Sequence, residues 1–315
     1  MRAFSYHAVG RSSSPRIEDV PVPQPAAGEV LVRVGCASLN PVDWKIAAGK
    51  FRFLVKGGLP RTMGSDFSGE IAATGPGVEG WSVGERVMGF VDPFARTAGT
   101  FAEYVPVPVR FVMRRPPEVD DVVGAALPCV GLTAVALCDL AQVGRGASVL
   151  VNGASGGVGH LAVQVAKARG ALVAATASAG RREFVTALGA DEFIDYRARP
   201  VSDWPMAFDA VLDCVPSLPR RCHRRLLKRG GHYASTLPSG WTYTLDPLLN
   251  RWGRLRRHAV MLEPSEGGAA ELLACLAAGK LRCEIAGVFP LEQAARAIEQ
   301  SRTGRVAGKL VIRVA

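Results

Sequence analysis

The chain has 315 residues, of which 48% are hydrophobic and 21% charged, so it has the composition of an ordinary globular protein and enough length for two domains. No apolar run is long enough to span a membrane, and the first ten residues lack the apolar core of a signal peptide, so we expect a soluble, cytoplasmic protein without a membrane partner. Seven scattered cysteines without a Cys-x-x-Cys pair argue against a disulfide framework and a structural zinc site.

The formal net charge of +10 is concentrated in residues 220–257. This stretch has one acidic residue, Asp246, and ten basic ones: Arg220, Arg221, Arg224, Arg225, Lys228, Arg229, Arg251, Arg254, Arg256 and Arg257. Two interpretations are open: a surface that binds RNA or another polyanionic partner, or the solvated face of a helix whose leucines pack inward. No aromatic ladder accompanies the charge, so the pattern disfavours nucleic acid.

Residues 1 to about 120 have the pattern of a β-rich domain. Short apolar runs are interrupted by Gly and Pro, which predicts short strands and a partly open barrel. The predicted strands are 29–34, 68–75, 83–89 and 101–105.

From about residue 121 the pattern changes to alternating helices and strands, which predicts a doubly wound parallel sheet. The predicted helices are 122–140, 181–188 and 220–228, and the predicted strands are 172–176, 192–195, 208–214 and 231–235. Helices at 267–278 and 291–301 and a strand at 309–313 close the chain.

Within this second region, the apolar run at 147–152 meets glycines at positions 153, 156 and 159, and a helical pattern follows at once. Strand, tight turn and helix form the unit that binds a dinucleotide pyrophosphate, because the glycines let phosphate oxygens approach backbone N–H groups at the helix N-terminus. The alternative is an ordinary glycine-rich loop. The flanking strand and helix favour the phosphate-binding turn.

Several segments, taken in order, give the chain a resemblance to the zinc-free branch of the medium-chain dehydrogenase/reductase superfamily, the quinone oxidoreductases and enone reductases. The matching segments are 40–45 (NPVDWK), 64–69 (GSDFSG), 77–87, 99–104 (GTFAEY), 132–134 (LTA), the glycine-rich turn, 189–191 (GAD) and 308–311 (GKLV).

The resemblance implies an α/β fold with two domains. One is a GroES-like, partly open β-barrel catalytic domain formed by residues 1–120 and 285–315. The other is a Rossmann doubly wound parallel sheet, residues 121–284, that binds the cofactor. The resemblance also implies a homodimer.

The positions of the zinc ligands point to the zinc-free branch. Zinc-dependent relatives have a Cys ligand where this chain has Asn40, and Gly-His-Glu where it has Gly64-Ser65-Asp66. The loop 90–99, which corresponds to their four-Cys lobe, contains no Cys, and the five histidines are dispersed. We therefore expect no metal, and a reaction that needs no Lewis acid.

The expected cofactor is NADPH. The turn residues Gly153, Ala154, Ser155, Gly156, Gly157, Val158 and Gly159 would hold the pyrophosphate. The acidic residue that usually binds the ribose of NAD is absent from positions 175–178, and Arg181 and Arg182 follow. In the family, Ser178, one of these arginines and Tyr196 match positions that hold the 2′-phosphate. Arg181 and Arg182 could otherwise be an exposed first helical turn.

The resemblance places Asn40 and Thr133 beside the nicotinamide, and places backbone contacts in the loop 236–240, which includes Leu237. Asn40 could otherwise simply form the turn before a proline. Lys45 stands where many relatives have a tyrosine proposed as proton donor; it would donate if burial lowered its pKa, and solvent is an equally open proton source. Asn40 and Lys45 are the candidate catalytic residues.

Together, these expectations predict an NADPH-dependent, zinc-independent reductase. It would transfer hydride to a small-molecule conjugated acceptor, either a quinone or an α,β-unsaturated carbonyl. Two alternatives remain. One is a biosynthetic tailoring enoyl or ketone reductase that acts on one pathway intermediate. The other is an NADPH-binding protein that acts through the basic stretch 220–257.

Overall fold

The computed structural model describes residues 1–95, 98–204, 207–237, 246, 248, 250, 256–260, 263 and 265–315. The chain divides into two compact units, Met1–Cys129 together with Ile285–Ala315, and Val130–Glu284. Among the described residues, no helix is both long and apolar enough to cross a membrane.

The elements are numbered along the chain. The strands are β1 (Arg2–Tyr6), β2 (Arg16–Asp19), β3 (Glu29–Leu39), β4 (Arg61–Thr62), β5 (Asp66–Thr74), β6 (Arg86–Phe90), β7 (Tyr104–Pro108), β8 (Val112–Arg114), β9 (Ser148–Asn152), β10 (Leu172–Ala177), β11 (Glu192–Asp195), β12 (Phe208–Asp213), β13 (Leu227–Ser235), β14 (Arg256–Ala259), β15 (Ile285–Pro290) and β16 (Lys309–Arg313). The helices are α1 (Pro41–Ala47), α2 (Asp121–Ala126), α3 (Pro128–Leu140), α4 (Gly159–Ala168), α5 (Arg182–Ala187), α6 (Arg220–Leu226), α7 (Glu266–Ala277) and α8 (Ala294–Arg302).

The first unit is built on the long strand β3. This strand pairs antiparallel with β5, β7 and β16 in a sheet of order β15-β16-β3-β5-β6-β8, and a smaller sheet has the order β2-β1-β4. Gly69 of β5 lies so close to β3 that a Cβ there would overlap the carbonyl oxygen of Arg33, so glycine is required where the strands approach. The register puts the start of β5 beside the end of β3.

The second unit contains a parallel sheet of order β11-β10-β9-β12-β13-β14. From β9 the chain adds β10 and β11 toward one edge of the sheet, and it then adds β12, β13 and β14 toward the other edge. Open α/β sheets bind ligands at the carboxyl ends of the two strands between which the order changes direction, here β9 and β12. The prediction of a doubly wound parallel sheet is therefore confirmed. Leu150, Ile194, Val211 and Leu226 form part of the buried core around it.

Several predicted elements have different bounds in the structure, including the following three. The helix predicted at 122–140 is two helices, α2 and α3, because Pro128 has no N–H to continue α2 and begins α3 instead. The helix predicted at 220–228 ends at Leu226, since Leu227 pairs with Phe208 in the sheet. The strand predicted at 101–105 is Tyr104–Pro108.

The division between the units also lies later than the sequence predicts. The predicted boundary follows residue 120, whereas α2 packs on β3 and β5 and the first unit extends to Cys129.

Candidate functional site

The glycine-rich turn between β9 and α4 is shaped by two glycines that no other residue could replace without movement. Gly153 has φ +77°, and a Cβ there would overlap the side chain of Val215. A Cβ on Gly159 would overlap the carbonyl oxygen of Gly153, so α4 can start this close to β9 only with glycine. These are the tight-turn and close-packing roles of the first and third glycines in a dinucleotide-binding turn.

The middle of the turn is open and has unused hydrogen-bond donors. A Cβ on Gly156 would touch only the Gly153 oxygen, at 3.4 Å. No acceptor among the described residues receives the backbone N–H groups of Ser155, Gly157 or Val158. Unpaired N–H groups before a helix N-terminus fit the pyrophosphate of a dinucleotide.

His160, in the first turn of α4, is fully buried and contacts the glycine-rich turn. Its Nδ1 lies 3.0 Å from the Gly156 carbonyl oxygen, and its Nε2 lies 3.2 Å from the backbone nitrogen of Glu284. Because the Glu284 N–H donates to Nε2, the proton of the neutral ring is on Nδ1 and is donated to Gly156. The histidine therefore fixes the turn.

A chain of side-chain hydrogen bonds joins the carboxyl ends of four neighbouring strands; we call it the carboxyl-edge belt. It consists of Thr176 at the end of β10, Asn152 of β9, Asp213 of β12 and Tyr233 of β13. The Thr176 hydroxyl donates to Asn152 Oδ1 (2.7 Å), Asn152 Nδ2 donates to Asp213 Oδ1 (2.7 Å), and the Tyr233 hydroxyl donates to Asp213 Oδ2 (2.6 Å). The belt spans the position where the sheet reverses direction.

The belt also holds the bend that follows β12. Asn152 Nδ2 lies 3.1 Å from Ser217 Oγ, and the Leu218 N–H donates to Asp213 Oδ2 (3.2 Å). Burial raises the pKa of Asp213, while the hydrogen bonds from Tyr233 and Asn152 oppose that rise. This bend contacts Gly153 through Val215, so the belt fixes both sides of the turn.

The residues predicted to bind the 2′-phosphate lie at the ends of β10 and β11. Ala177 is paired with Asp195, so the next residues, Ser178 and Tyr196, are neighbours at the same edge. Arg181 ends a short 3-10 turn that begins at Ser178. Ser178 and Tyr196 therefore follow the ends of two paired strands, and the Arg181 N–H donates to the Ser178 carbonyl oxygen (2.8 Å).

Arg182 is placed differently. Its guanidinium stacks over the Phe193 ring, 4.3 Å from the centroid.

Two other residues predicted from the resemblance, Thr133 and Leu237, lie in the second unit. Thr133 is buried in α3, and Leu237 is exposed after β13, with its N–H 3.3 Å from Ser235 Oγ. Residues 238–240 of the predicted nicotinamide loop lie outside the described residues.

The basic stretch is partly neutralised within the chain. Asp246 is buried and pairs with Arg220 and Arg257, and Lys228 pairs with Asp209. Arg251 and Arg254 lie outside the described residues. Since part of this charge is satisfied internally, the structure does not favour the polyanion-binding alternative.

Asn40 lies in the first unit, at the start of α1, and is only 4% exposed. Its Nδ2 donates to Asp66 Oδ2 (2.7 Å) and to Ser65 Oγ (3.1 Å), and its Oδ1 accepts from Lys309 Nζ (2.6 Å). Every polar atom of the side chain therefore has a partner within the protein. The prediction that Asn40 takes part in the reaction stays a prediction.

Asp43 belongs to the same buried cluster. Its Oδ2 accepts the Asn40 backbone N–H (2.7 Å) and its Oδ1 accepts the Ser65 hydroxyl (2.9 Å). Burial raises the pKa of Asp43 to about 7, and the negative charge of Asp66 adds to the rise. Lys309, 3% exposed, contributes the positive charge of the cluster, with Nζ 3.4 Å from Asp66 Oδ2.

Lys45, the candidate proton donor, is half-buried in α1. Its Nζ lies 5.6 Å from the centroid of the Trp44 ring. Burial lowers the pKa of Lys45, and the nearby charge of Lys50 lowers it further. Both effects make the ammonium a better proton donor.

Sequence reasoning did not select Asn152, Thr176, Asp213 or Tyr233, nor Asp43, Asp66 and Lys309 as a cluster. A usable signal exists for the first group: each of its residues is polar and lies within the last three residues of a predicted parallel strand, and such strand ends share one edge. The second group joins residues far apart in sequence, and no local pattern indicates it.

No group of three or more His, Cys, Asp or Glu side chains in the described ranges is arranged to hold a metal ion. At the zinc-ligand positions of the zinc-dependent relatives, Asn40, Ser65 and Asp66 are joined by hydrogen bonds to one another.

Two family models match the chain. The alcohol dehydrogenase GroES-like domain matches residues 26–117, and a model described as zinc-binding dehydrogenase matches residues 188–312.

Individual proteins match over nearly the whole chain. The chloroplast envelope quinone oxidoreductase homolog of Arabidopsis thaliana is 32% identical, over 99% of this chain and 98% of its own. The chloroplastic NADPH-dependent alkenal/one oxidoreductase of Arabidopsis thaliana is 29% identical, over 99% and 79%. The structure of the quinone oxidoreductase from Coxiella burnetii superposes with a TM-score of 0.90 at 31% identity, covering 100% of this chain and 99% of that one.

Proposed function

Because the chain belongs to the medium-chain dehydrogenase/reductase superfamily, in its quinone oxidoreductase branch, we propose that it is an NADPH-dependent reductase that transfers hydride to a quinone or an α,β-unsaturated carbonyl. The predicted family and fold class are confirmed by these matches, and the enzyme uses a nicotinamide cofactor. The choice of NADPH and the acceptor class are the substance of the proposal. The names of the relatives, a quinone oxidoreductase homolog and an NADPH-dependent alkenal/one oxidoreductase, support both.

The observation that carries the NADPH assignment is the grouping of Ser178, Arg181 and Tyr196 at the ends of β10 and β11. A hydroxyl, a guanidinium and a phenol suit a phosphate, whereas the carboxylate that would bind the ribose of NAD is absent from the end of β10. The glycine-rich turn would hold the pyrophosphate through its unused N–H groups.

When bound, NADPH supplies the hydride, and the protein's residues orient the reactants and manage the proton. Addition of hydride to the β-carbon of an enone leaves an enolate, which needs one proton. Lys45 is the residue proposed to supply it from Nζ, because burial and Lys50 both lower its pKa. Asn40 and Asp66 fix the start of α1, and therefore the position of Lys45 in that helix.

The cofactor assignment is tested with Arg181→Ala/Arg182→Ala. We expect the preference for NADPH over NADH, measured as the ratio of kcat/KM values with one quinone, to fall by about 10-fold or more, because a charge-assisted hydrogen bond to phosphate is worth roughly 1.5–3 kcal/mol. Arg145→Ala, a substitution of an exposed arginine in the same unit, is the control. An unchanged preference for NADPH over NADH in the double variant would contradict the assignment.

Independence of zinc, a homodimer and a cytoplasmic location complete the proposal. Activity that survives dialysis against a zinc chelator supports the first, and a mass of twice 33.3 kDa in solution supports the second. Fractionation of cells that express the chain addresses the location.

A further inference from the structure

The segment between Asp43 and Asp66 is strongly basic. It contains no acidic residue and five basic ones: Lys45, Lys50, Arg52, Lys56 and Arg61. Within the described part of the chain, Lys45, Lys50, Arg52 and Lys56 form no ion pair. In contrast to the arginines that pair with Asp246 in the second unit, these four charges are available to an anion from outside the chain.

A cavity of about 290 Å³ lies within this segment. Val9, Ile46, Val55 and Leu59 give it an apolar lining, and Arg52 and Arg61 also line it. Arg61 is buried and fixed, because its Nη1 and Nη2 donate to the carbonyl oxygens of Lys56 and Pro93 (2.8 and 2.9 Å). The volume is near the lower end of the range for small-molecule sites, and such sites combine apolar walls with a few fixed polar groups.

The cavity is connected to the candidate proton donor through α1. Ile46, which lines the cavity, directly follows Lys45 in this helix. The charge of Lys50 acts on Lys45 strongly enough to lower its pKa, so the two ammonium groups repel each other. The two like charges give this side of α1 a positive potential, which attracts an anion.

The surface around the cavity mixes charge with exposed apolar groups. Phe53 is 93% exposed and Leu54 51%, and the Arg52 guanidinium lies 5.4 Å from the centroid of the Phe53 ring. This surface thus presents two adjacent exposed apolar side chains beside cations that form no ion pair. The combination suits a ligand with both an apolar body and a negative charge.

We propose that this cavity binds the apolar body of a conjugated acceptor that also carries a carboxylate, and that Lys50 and Arg52 pair with that carboxylate. The inference deepens the proposed reductase function and rests on it. The preferred substrates are thus anionic enones and quinones, and their neutral counterparts are reduced less efficiently.

The test uses a matched pair of acceptors, 8-oxoundec-9-enoic acid and its methyl ester, in which a saturated chain separates the carboxyl group from the enone, with 1,4-naphthoquinone as a neutral reference. The oxidation of NADPH gives kcat/KM for each, and the acid-to-ester ratio is the readout. We expect the ratio to exceed one at low ionic strength and to fall as salt is added. In Lys50→Gln/Arg52→Gln it should fall by about 5-fold, since two partly exposed pairs together contribute on the order of 1 kcal/mol.

The net positive charge of the whole protein could also attract the acid, so the control is Lys280→Gln/Arg145→Gln, which removes the same charge from the second unit. An unchanged ratio in this control supports the cavity. Equal kcat/KM for acid and ester in the parent protein, or an equal loss in the control, overturns the inference while leaving the reductase function intact. If neither the enones nor the quinone is reduced, the proposed function itself fails.

Discussion

Two buried carboxyl groups, those of Asp43 and Asp66, share one cluster with the ammonium group of Lys309. Asp66 Oδ2 is the carboxylate oxygen nearest that ammonium, at 3.4 Å, and it also receives hydrogen bonds from Asn40 and Ser38. Asp43 is more distant from Lys309 in the hydrogen-bond network, because Ser65 lies between it and Asn40. Because one positive charge compensates one carboxylate, Asp43 is the carboxyl group that keeps its proton near neutral pH.

This assignment predicts a pH-dependent effect of Asp43→Asn on stability. The folded-state pKa of Asp43 is about 7 and its unfolded value is near 3.8, so the native state binds the extra proton between these pH values, and the contribution of Asp43 to stability falls as pH rises from about 4 to 7. The uncharged amide of the variant cannot lose a proton. We expect the variant's free energy of unfolding, relative to the parent protein, to rise by roughly 2–3 kcal/mol between pH 5 and pH 8 in urea titrations.

The control for this effect is Glu118→Gln, which removes an exposed carboxyl group from the same unit. It should show no comparable slope. A parallel pH dependence of Asp43→Asn and the parent protein would mean that Asp43 is ionised throughout.

In the glycine-rich turn, we expect substitutions of two glycines to have different effects. Gly159→Ala places a Cβ against the backbone of Gly153 and should destabilise the fold by about 2 kcal/mol or more. Gly156→Ala meets only one atom, at 3.4 Å, so its melting temperature should stay near that of the parent protein while its Kd for NADPH rises about 10-fold. Calorimetry and NADPH fluorescence measure the two effects. Tight NADPH binding by Gly156→Ala would mean that the pyrophosphate does not bind at this turn.

Among the secondary-structure elements, the parallel strands of the second unit are joined twice, by backbone pairing along their length and by the carboxyl-edge belt at their ends. The backbone register alone would leave the bend after β12 free to move, because Pro216 has no N–H to anchor it. Asn152 and Asp213 provide the anchors instead. The belt therefore holds this bend through side chains.

Substitutions in the belt should affect cofactor binding as well as stability. Tyr233→Phe removes one hydrogen bond to the buried Asp213 carboxylate and should cost about 1–2 kcal/mol of unfolding free energy. Asp213→Asn presents an NH₂ group to the donors that now serve the carboxylate, and should cost more and raise the Kd for NADPH several-fold. Urea unfolding and fluorescence titration measure both. A larger loss from Tyr233→Phe than from Asp213→Asn would show that Asp213 is not the centre of the belt.

The elements show what sequence alone can predict. The alternation of helices and strands in the second unit and the glycine turn follow from local patterns, and so does the position of Ser178 and Tyr196, which directly follow the ends of β10 and β11. The pairing of Lys309 with Asp66 does not, because it joins residues separated by 243 positions. The stacking of Arg182 on Phe193 depends on how α5 packs on β11, which no local pattern fixes.

In the molecule as a whole, the first unit is discontinuous in sequence: residues 1–129 are completed by residues 285–315. Strand β16 pairs antiparallel with β3, with Leu310 opposite Leu39, and carries Lys309 into the buried cluster. The last strand therefore supplies both a sheet partner and the compensating charge.

This arrangement predicts strong coupling between Lys309 and Asp66. Lys309→Met leaves the buried Asp66 carboxylate without its cation and should cost about 3–5 kcal/mol. Adding Asp66→Asn removes the uncompensated charge and should restore part of that loss. Urea unfolding of both single variants and the double variant gives the coupling energy. Additive losses would mean that the two groups stabilise the fold independently.

Because the first unit is formed by two separate segments of the chain, its parts are synthesised at different times. The second unit, 130–284, is contiguous and is synthesised before β16, so we expect it to fold first. Until residues 309–313 emerge, the nascent chain exposes the edge of β3 near Leu39 and holds Asp66 without its cation. The emergence of residues 309–313 is thus the step at which β3 gains its sheet partner and Asp66 gains its compensating cation.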